Sequence, residues 1–204
     1  QYFNLSEEGD EENEIRRFRI IIDSEEPLSD ELVAQIKADT NGADIVTRAI
    51  RERMRNAQPE DYPIISSACP AIVRLIRVRF PDLLSHIIDI RQPMEVAAMV
   101  AKKEFCKKHN VEAKDVGCFF ITPCAAKMTA IRNPIGHETS AVDGAISMLE
   151  IYGVLASHIK KNHTDSKRAT ASSYGVGWAS SGGEAAAVCP EHSMAVDSIE
   201  NVIR

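Results

Sequence analysis

Two cysteines stand in settings where thiolate chemistry could be built. One lies in Ile64-Ile65-Ser66-Ser67-Ala68-Cys69-Pro70-Ala71-Ile72, the other in Phe119-Phe120-Ile121-Thr122-Pro123-Cys124-Ala125-Ala126-Lys127. Each stretch is a short β-rich apolar run followed by small or polar residues, a cysteine and a helix start, and Pro70 falls where a helix tolerates proline. Both predict a cysteine where a strand ends, the usual place for ligand chemistry in an open α/β sheet. A lone buried cysteine is more often inert filler; the sharper alternative is a soft-metal or iron–sulfur site.

Other chemistries find less support. The five cysteines, at 69, 106, 118, 124 and 189, form no disulfide framework, which leaves reduced thiols or metal ligands. Six scattered histidines show no H-E-x-x-H pattern and no C-x-x-C partner, so zinc is poorly supported. A cysteine–histidine hydrolase is left open by spacing. The glycine-rich run Tyr174 to Ala187 has Ser180 where the dinucleotide fingerprint needs glycine, and no G-K-[ST] follows, so a tight turn feeding a helix is the better reading.

The elements that must position these residues follow from periodicity. The acid-rich first dozen residues predict a mobile terminus, Arg17 to Asp23 a strand, Leu28 to Ala38 a helix entered through Ser29, and Asp39 to Gly42 a turn. Helical spacing over Ala43 to Ala57 sets Ile45, Ala49, Ile50 and Met54 against arginines. Ile64 to Ser67 predicts a strand, and Ala71 to Phe80 a helix with a solvated basic face of Arg74, Arg77 and Arg79. A longer helix opens at Pro93 and runs to about Lys108, with Met94, Ala97, Ala98, Ala101 and Phe105 inward, Met99 in the core, and its lysines on a solvated face. Val116 to Ile121 reads as a strand buried on both faces, Ser147 with Glu150 as a capping box for a helix to about Lys160, and Asn162 to Thr170 as a loop. Alternating strands and helices predict an α/β fold with a largely parallel sheet.

Composition sets the outer bounds. With 204 residues, 44% hydrophobic and 26% charged, the chain can bury a full core as one domain or two joined lobes. A formal charge of -6 speaks against a general nucleic-acid binder. No apolar run reaches the roughly 18 to 20 residues that span a bilayer, so no membrane span is expected and a cytoplasmic location is.

The two cysteine stretches resemble signature motifs of the H-cluster domain of iron-only (FeFe) hydrogenases, which read approximately T-S-C-C-P and M-P-C-x-x-K-x-x-E. Here they stand as Ser66-Ser67-Ala68-Cys69-Pro70 and Thr122-Pro123-Cys124-Ala125-Ala126-Lys127. Further family landmarks follow in order: Gly42-Ala43-Asp44, Arg79-Phe80-Pro81-Asp82-Leu83-Leu84, Pro93-Met94, Val142-Asp143-Gly144-Ala145-Ile146, and Ser181-Gly182-Gly183 with Glu184-Ala185-Ala186. The resemblance runs from about Gly42 to the end and leaves residues 1–41 an unassigned acidic segment. It implies a two-lobed α/β domain of largely parallel sheets flanked by helices, similar to the iron-only hydrogenase large subunit.

The resemblance implies that Cys69 and Cys124 are thiolate ligands of a four-iron, four-sulfur cubane linked to a two-iron subcluster bearing carbon monoxide and cyanide. It implies that Lys127 holds a cyanide by a charge-assisted hydrogen bond. Thr122, Pro123, Ala68, Pro93, Met94, Trp178 and Ala179 would line the same pocket. The departures agree with one another. The family's proton-shuttling cysteine falls at Ala68, its pathway serine at Ile88, its relay glutamate near Arg48, Ala49 and Ile50, and the glutamate ending the second motif at Ala130. Fast turnover needs groups of matched pKa, so weak or absent turnover is expected. These losses resemble the divergent, PAS-associated sensory hydrogenases, and imply hydrogen or a small diatomic as ligand, with an attached signalling domain and an electron-transfer protein as partners. The third family motif, with two more cysteines, does not appear before Arg204. The chain is therefore expected to be a fragment that holds no cluster alone. A non-catalytic iron–sulfur carrier resembling the eukaryotic assembly factors is the alternative, although residues 1–68 contain no cysteine. An apo interaction domain with both cysteines as filler is the blandest.

Overall fold

The computed structural model describes residues 4–8, 17–21, 40–161 and 172–203. An antiparallel pair comes first, β1 (Asn4–Glu8) with β2 (Arg17–Ile21), in a register that sets Glu8 opposite Arg17. Residues 4–8 are thus a strand and not the mobile terminus their acidity suggests, since opposite charges across a ladder favour pairing. The helix expected at 28–38 and the loop expected at 162–170 lie outside the described residues.

Helix α1 (Thr40–Arg55) begins inside the turn predicted at 39–42. Gly42 is part of the helix because α1 and α3 (Pro93–His109) approach so closely there that a Cβ would sit 2.5 Å from the Pro93 carbonyl oxygen. Helix α2 (Pro70–Arg79) follows as expected, with Pro70, Val73 and Ile76 buried. Its Arg74 is not simply solvated, because Nη2 donates to the Asn133 carbonyl at 2.8 Å. In α3, Met94 and Ala98 are buried as expected, but Met99 is exposed and not a core residue, and Lys102 pairs with Asp143 at 2.6 Å.

The strand predicted at 64–67 is only a single parallel bridge, Ile65 with Ile87. Pro63 offers no amide hydrogen, Ile65 pairs through its N–H to the His86 carbonyl and its carbonyl to the Ile88 N–H, and beyond it the Ser66 and Ser67 hydroxyls donate to Glu184 and to the Ile90 carbonyl. The second strand is also shorter than predicted. Ala113–Asp115 make a 3-10 turn capped at Val116, and β3 (Phe119–Thr122) pairs in parallel with β4 (Gly144–Ser147). Phe119 is exposed, so this strand is not buried on both faces.

Helix α4 (Ala125–Arg132) packs on β3 and β4, and α5 (Met148–Lys161) on β4, which gives an α/β fold whose parallel pair is flanked by helices. The cap of α5 is close to the box expected: the Ser147 N–H donates to Glu150 at 3.0 Å, while Ser147 Oγ accepts from Leu149 at 3.3 Å. Short helices α6 (Ser173–Gly177), α7 (Gly183–Val188) and α8 (Ile199–Ile203) complete the chain. The glycine-rich run is the expected turn. Gly182 takes a left-handed φ of 69°, and a Cβ on Gly183 would overlap the Gly177 carbonyl.

Two apolar clusters form among the described residues. Met94, Ala98, Ala130, Ile131 and Val142 join α3 to α4, whereas Val46, Ile50, Ile88 and Val188 join α1 to α7, with Val96 and Trp178 against them. Met94 and Val96 are two residues apart on one helix and serve different clusters, so α3 forms the wall between them.

Candidate iron–sulfur site

The Cys124 side is built at the end of β3. Thr122 is only 3% exposed, and its Oγ1 accepts the Cys124 N–H at 3.1 Å. That bond turns the chain through exposed Pro123 into α4, where Cys124 is the N-cap and its carbonyl accepts from Lys127 and Met128 at 3.1 and 3.2 Å. The thiol takes no part in the cap. Lys127 lies in the first helical turn, half-buried, and its ammonium makes no hydrogen bond or ion pair among the described residues.

A similar device shapes the Cys69 side. Ser66 Oγ accepts the Ala68 N–H at 3.1 Å and donates its own proton to the Glu184 carboxylate, at 2.6 and 2.7 Å from the two oxygens. Ser67 Oγ donates to the Ile90 carbonyl at 2.6 Å. Exposed Cys69 then N-caps α2, its carbonyl accepting from Val73 at 3.1 Å and its thiol again unused. Helices α2 and α4 pack on each other, so the two cysteines open a pair of touching helices, and a helix N-terminus favours negative charge.

The remaining pocket candidates divide between the two clusters. Met94 is buried against α4, the helix that Cys124 opens, and half-buried Pro93 turns its carbonyl toward Gly42. Trp178 belongs to the other cluster, with Nε1 donating to Thr47 Oγ1 at 2.8 Å, and Ala179 is exposed on the turn before α7. That turn is joined to the Cys69 loop through α7, by way of Glu184. Ile50, Ile88 and Ala130, at or beside the positions where relay groups would stand, are all buried: 6%, 6% and 4% exposed.

Three polar residues at this centre escaped the sequence. Thr47 is 2% exposed, and its hydroxyl donates a hydrogen bond to the Ala43 carbonyl at 2.8 Å while accepting one from Trp178. Glu95 is 1% exposed, accepting from the Ser140 hydroxyl at 2.6 Å and the Ala141 N–H at 2.7 Å. Its place in the first turn of a Pro-led helix was the available signal, since acids are favoured there. Glu184 was visible only as part of a landmark; burial pushes its carboxyl above the usual range, partly opposed by the Ser66 hydrogen bond.

The donor chemistry fits part of an iron–sulfur cluster. Two uncommitted thiols stand at helix N-termini, the ligand type that iron–sulfur clusters use, and an unpaired ammonium lies one turn from Cys124. Among the described residues no group of three or more Cys, His, Asp or Glu side chains converges, so these residues do not complete four thiolates. Cys189 ends α7 and lines an open cavity of about 400 Å³ with Arg51, Met54, Arg55 and Tyr62, whose lining includes neither Cys69 nor Cys124.

The family description "Iron only hydrogenase large subunit, C-terminal domain" matches residues 33–202, and the chain belongs to that family. Among curated relatives, a protein named "Cytosolic Fe-S cluster assembly factor NAR1 homolog" from Schizosaccharomyces japonicus is 27% identical over 99 residues, which is 48% of this chain and 19% of that protein. The human "Nuclear prelamin A recognition factor" is 24% identical over 110 residues, 52% of this chain and 24% of that protein. The chain thus spans about a fifth to a quarter of these relatives. A solved structure concerned with oxygen inactivation of an [FeFe]-hydrogenase aligns with 62% of this chain and 32% of its own, at 21% identity and a TM-score of 0.40. Among the described residues no helix is long and apolar enough to cross a membrane.

Proposed function

We propose that this chain is the cluster-holding part of an iron-only hydrogenase-like protein that senses hydrogen or redox state with little or no turnover. Cys69 and Cys124 are two thiolate ligands of a four-iron, four-sulfur cubane, with the other ligands supplied from outside the described set. Lys127 donates to an anionic ligand of an adjoining two-iron unit, and Ala68, Thr122, Pro123, Pro93, Met94, Trp178 and Ala179 line its surroundings. When bound, the iron group supplies an open position for hydrogen or a small diatomic. The chain's own residues hold it and pass a change in contacts to an attached signalling domain, of the PAS type or another.

The observation that carries the low-turnover reading is the apolar packing at the relay positions. Ile50 and Ile88 sit in one cluster of aliphatic side chains and Trp178, and Ala68 has no titratable group. Proton transfer needs groups within about 2.6–3.2 Å of each other or one water apart, and aliphatic side chains supply none. A cytoplasmic location agrees with uncommitted thiols.

A second reading is favoured by the assembly-factor relative: a carrier holding the cubane without the two-iron unit. Infrared spectroscopy of the anaerobically matured full-length gene product separates the two. Bands of iron-bound carbon monoxide and cyanide that move under hydrogen are expected for a sensor. An empty window in iron-containing protein moves the assignment to the carrier, and protein without iron contradicts both.

A further inference from the structure

The contact between Glu184 and Ser66 joins residues 118 positions apart and ends at the backbone of the Cys69 loop. Glu184 accepts the Ser66 hydroxyl proton with both oxygens within reach, which leaves the Ser66 lone pairs to accept the Ala68 N–H. A hydroxyl that donates to a carboxylate is polarised into a better acceptor, so the two bonds strengthen each other. The carboxylate is brought there by α7, whose N-terminus is pinned by the close approach of Gly183 to Gly177. Ser67 fixes the same loop from the other side through the Ile90 carbonyl. Among the described residues, the Cys124 loop has Thr122 for this purpose and no carboxylate behind it.

We infer that Glu184 is a positioning residue for Cys69: through Ser66 it fixes the Ala68 amide and so the direction in which the Cys69 thiol leaves the loop. This rests on the reading of Cys69 as a cluster ligand, and it adds a link from the glycine-rich turn to that ligand. Loss of the link would loosen Cys69 and leave Cys124 in place.

Hydrogen exchange at the Ala68 amide in the iron-free protein tests the link apart from the cluster. Glu184→Ala is expected to speed that exchange about tenfold, the factor that loss of a charge-assisted bond gives. Glu184→Gln, which keeps an acceptor, should recover part of the protection. In the Ser66→Ala background, Glu184→Ala should add nothing further, and the Cys124 amide should be unchanged throughout. Unchanged exchange at Ala68 in Glu184→Ala, or additive effects of the two substitutions, would overturn the inference. Iron retention by the wild-type full-length protein reports separately on the ligand reading, so either idea can fail without the other.

Discussion

Glu95 carries more of the local order than its surroundings in the sequence suggest. A buried carboxylate is tolerated only when its lone pairs are used, and here Ser140 and Ala141 both donate to it. Glu95→Gln offers one acceptor oxygen to two donors, and should cost about 2 kcal/mol in a denaturant melt. Trp178→Phe removes the indole N–H together with the five-membered ring, and should cost about 2 kcal/mol from the lost hydrogen bond and the space left against the Val46, Ile50, Ile88 and Val188 cluster. Of the candidate site residues, Cys69 and Cys124 stood out because an apolar run, small or polar residues, a cysteine and a helix start follow one another in the chain, while Thr122 and Lys127 came in with the family resemblance. Glu184, Thr47 and Glu95 were not legible, because their partners are far off in sequence, and no local pattern pairs Glu184 with Ser66 or Trp178 with Thr47.

Elements follow the sequence wherever one periodicity acts alone. The helices at Thr40–Arg55, Pro70–Arg79 and Pro93–His109 follow apolar spacing, and the last two open on a proline. Ile64 to Ser67 has strand composition, but its backbone pairs at Ile65 alone before the Ser66 and Ser67 hydroxyls tie the chain to Glu184 and Ile90, long-range bonds that composition does not reveal. Gly42 has the same ambiguity, since a glycine needed for a turn and one needed for close helix packing look alike. Gly42→Ala separates the two explanations. Its helix-propensity gain is about 1 kcal/mol, while forcing a Cβ to 2.5 Å from the Pro93 carbonyl costs about 1–3 kcal/mol. The balance predicts a lower unfolding midpoint, whereas a simple turn-to-helix position would be stabilised.

At the scale of the whole molecule, α3 stands between two clusters, one shared with the helix that Cys124 opens and one shared with α1 and with α7, which carries Glu184. The pH dependence of stability should show Glu184. Its folded pKa is raised above the ordinary 4.5, so the folded state binds more protons between the two values and stability falls as pH rises through that window. Glu184→Gln removes this fall; comparing melts of the two proteins from pH 4 to 7 should show the wild type gaining more on acidification.

The most direct test of the central claim is iron and acid-labile sulfide per chain after anaerobic reconstitution of the full-length gene product, in wild type and in Cys69→Ser and Cys124→Ser. Bound iron in the wild type and loss of most of it in each variant are predicted, because each serine removes one thiolate corner. Iron retained equally by all three proteins would contradict the assignment of Cys69 and Cys124 as ligands.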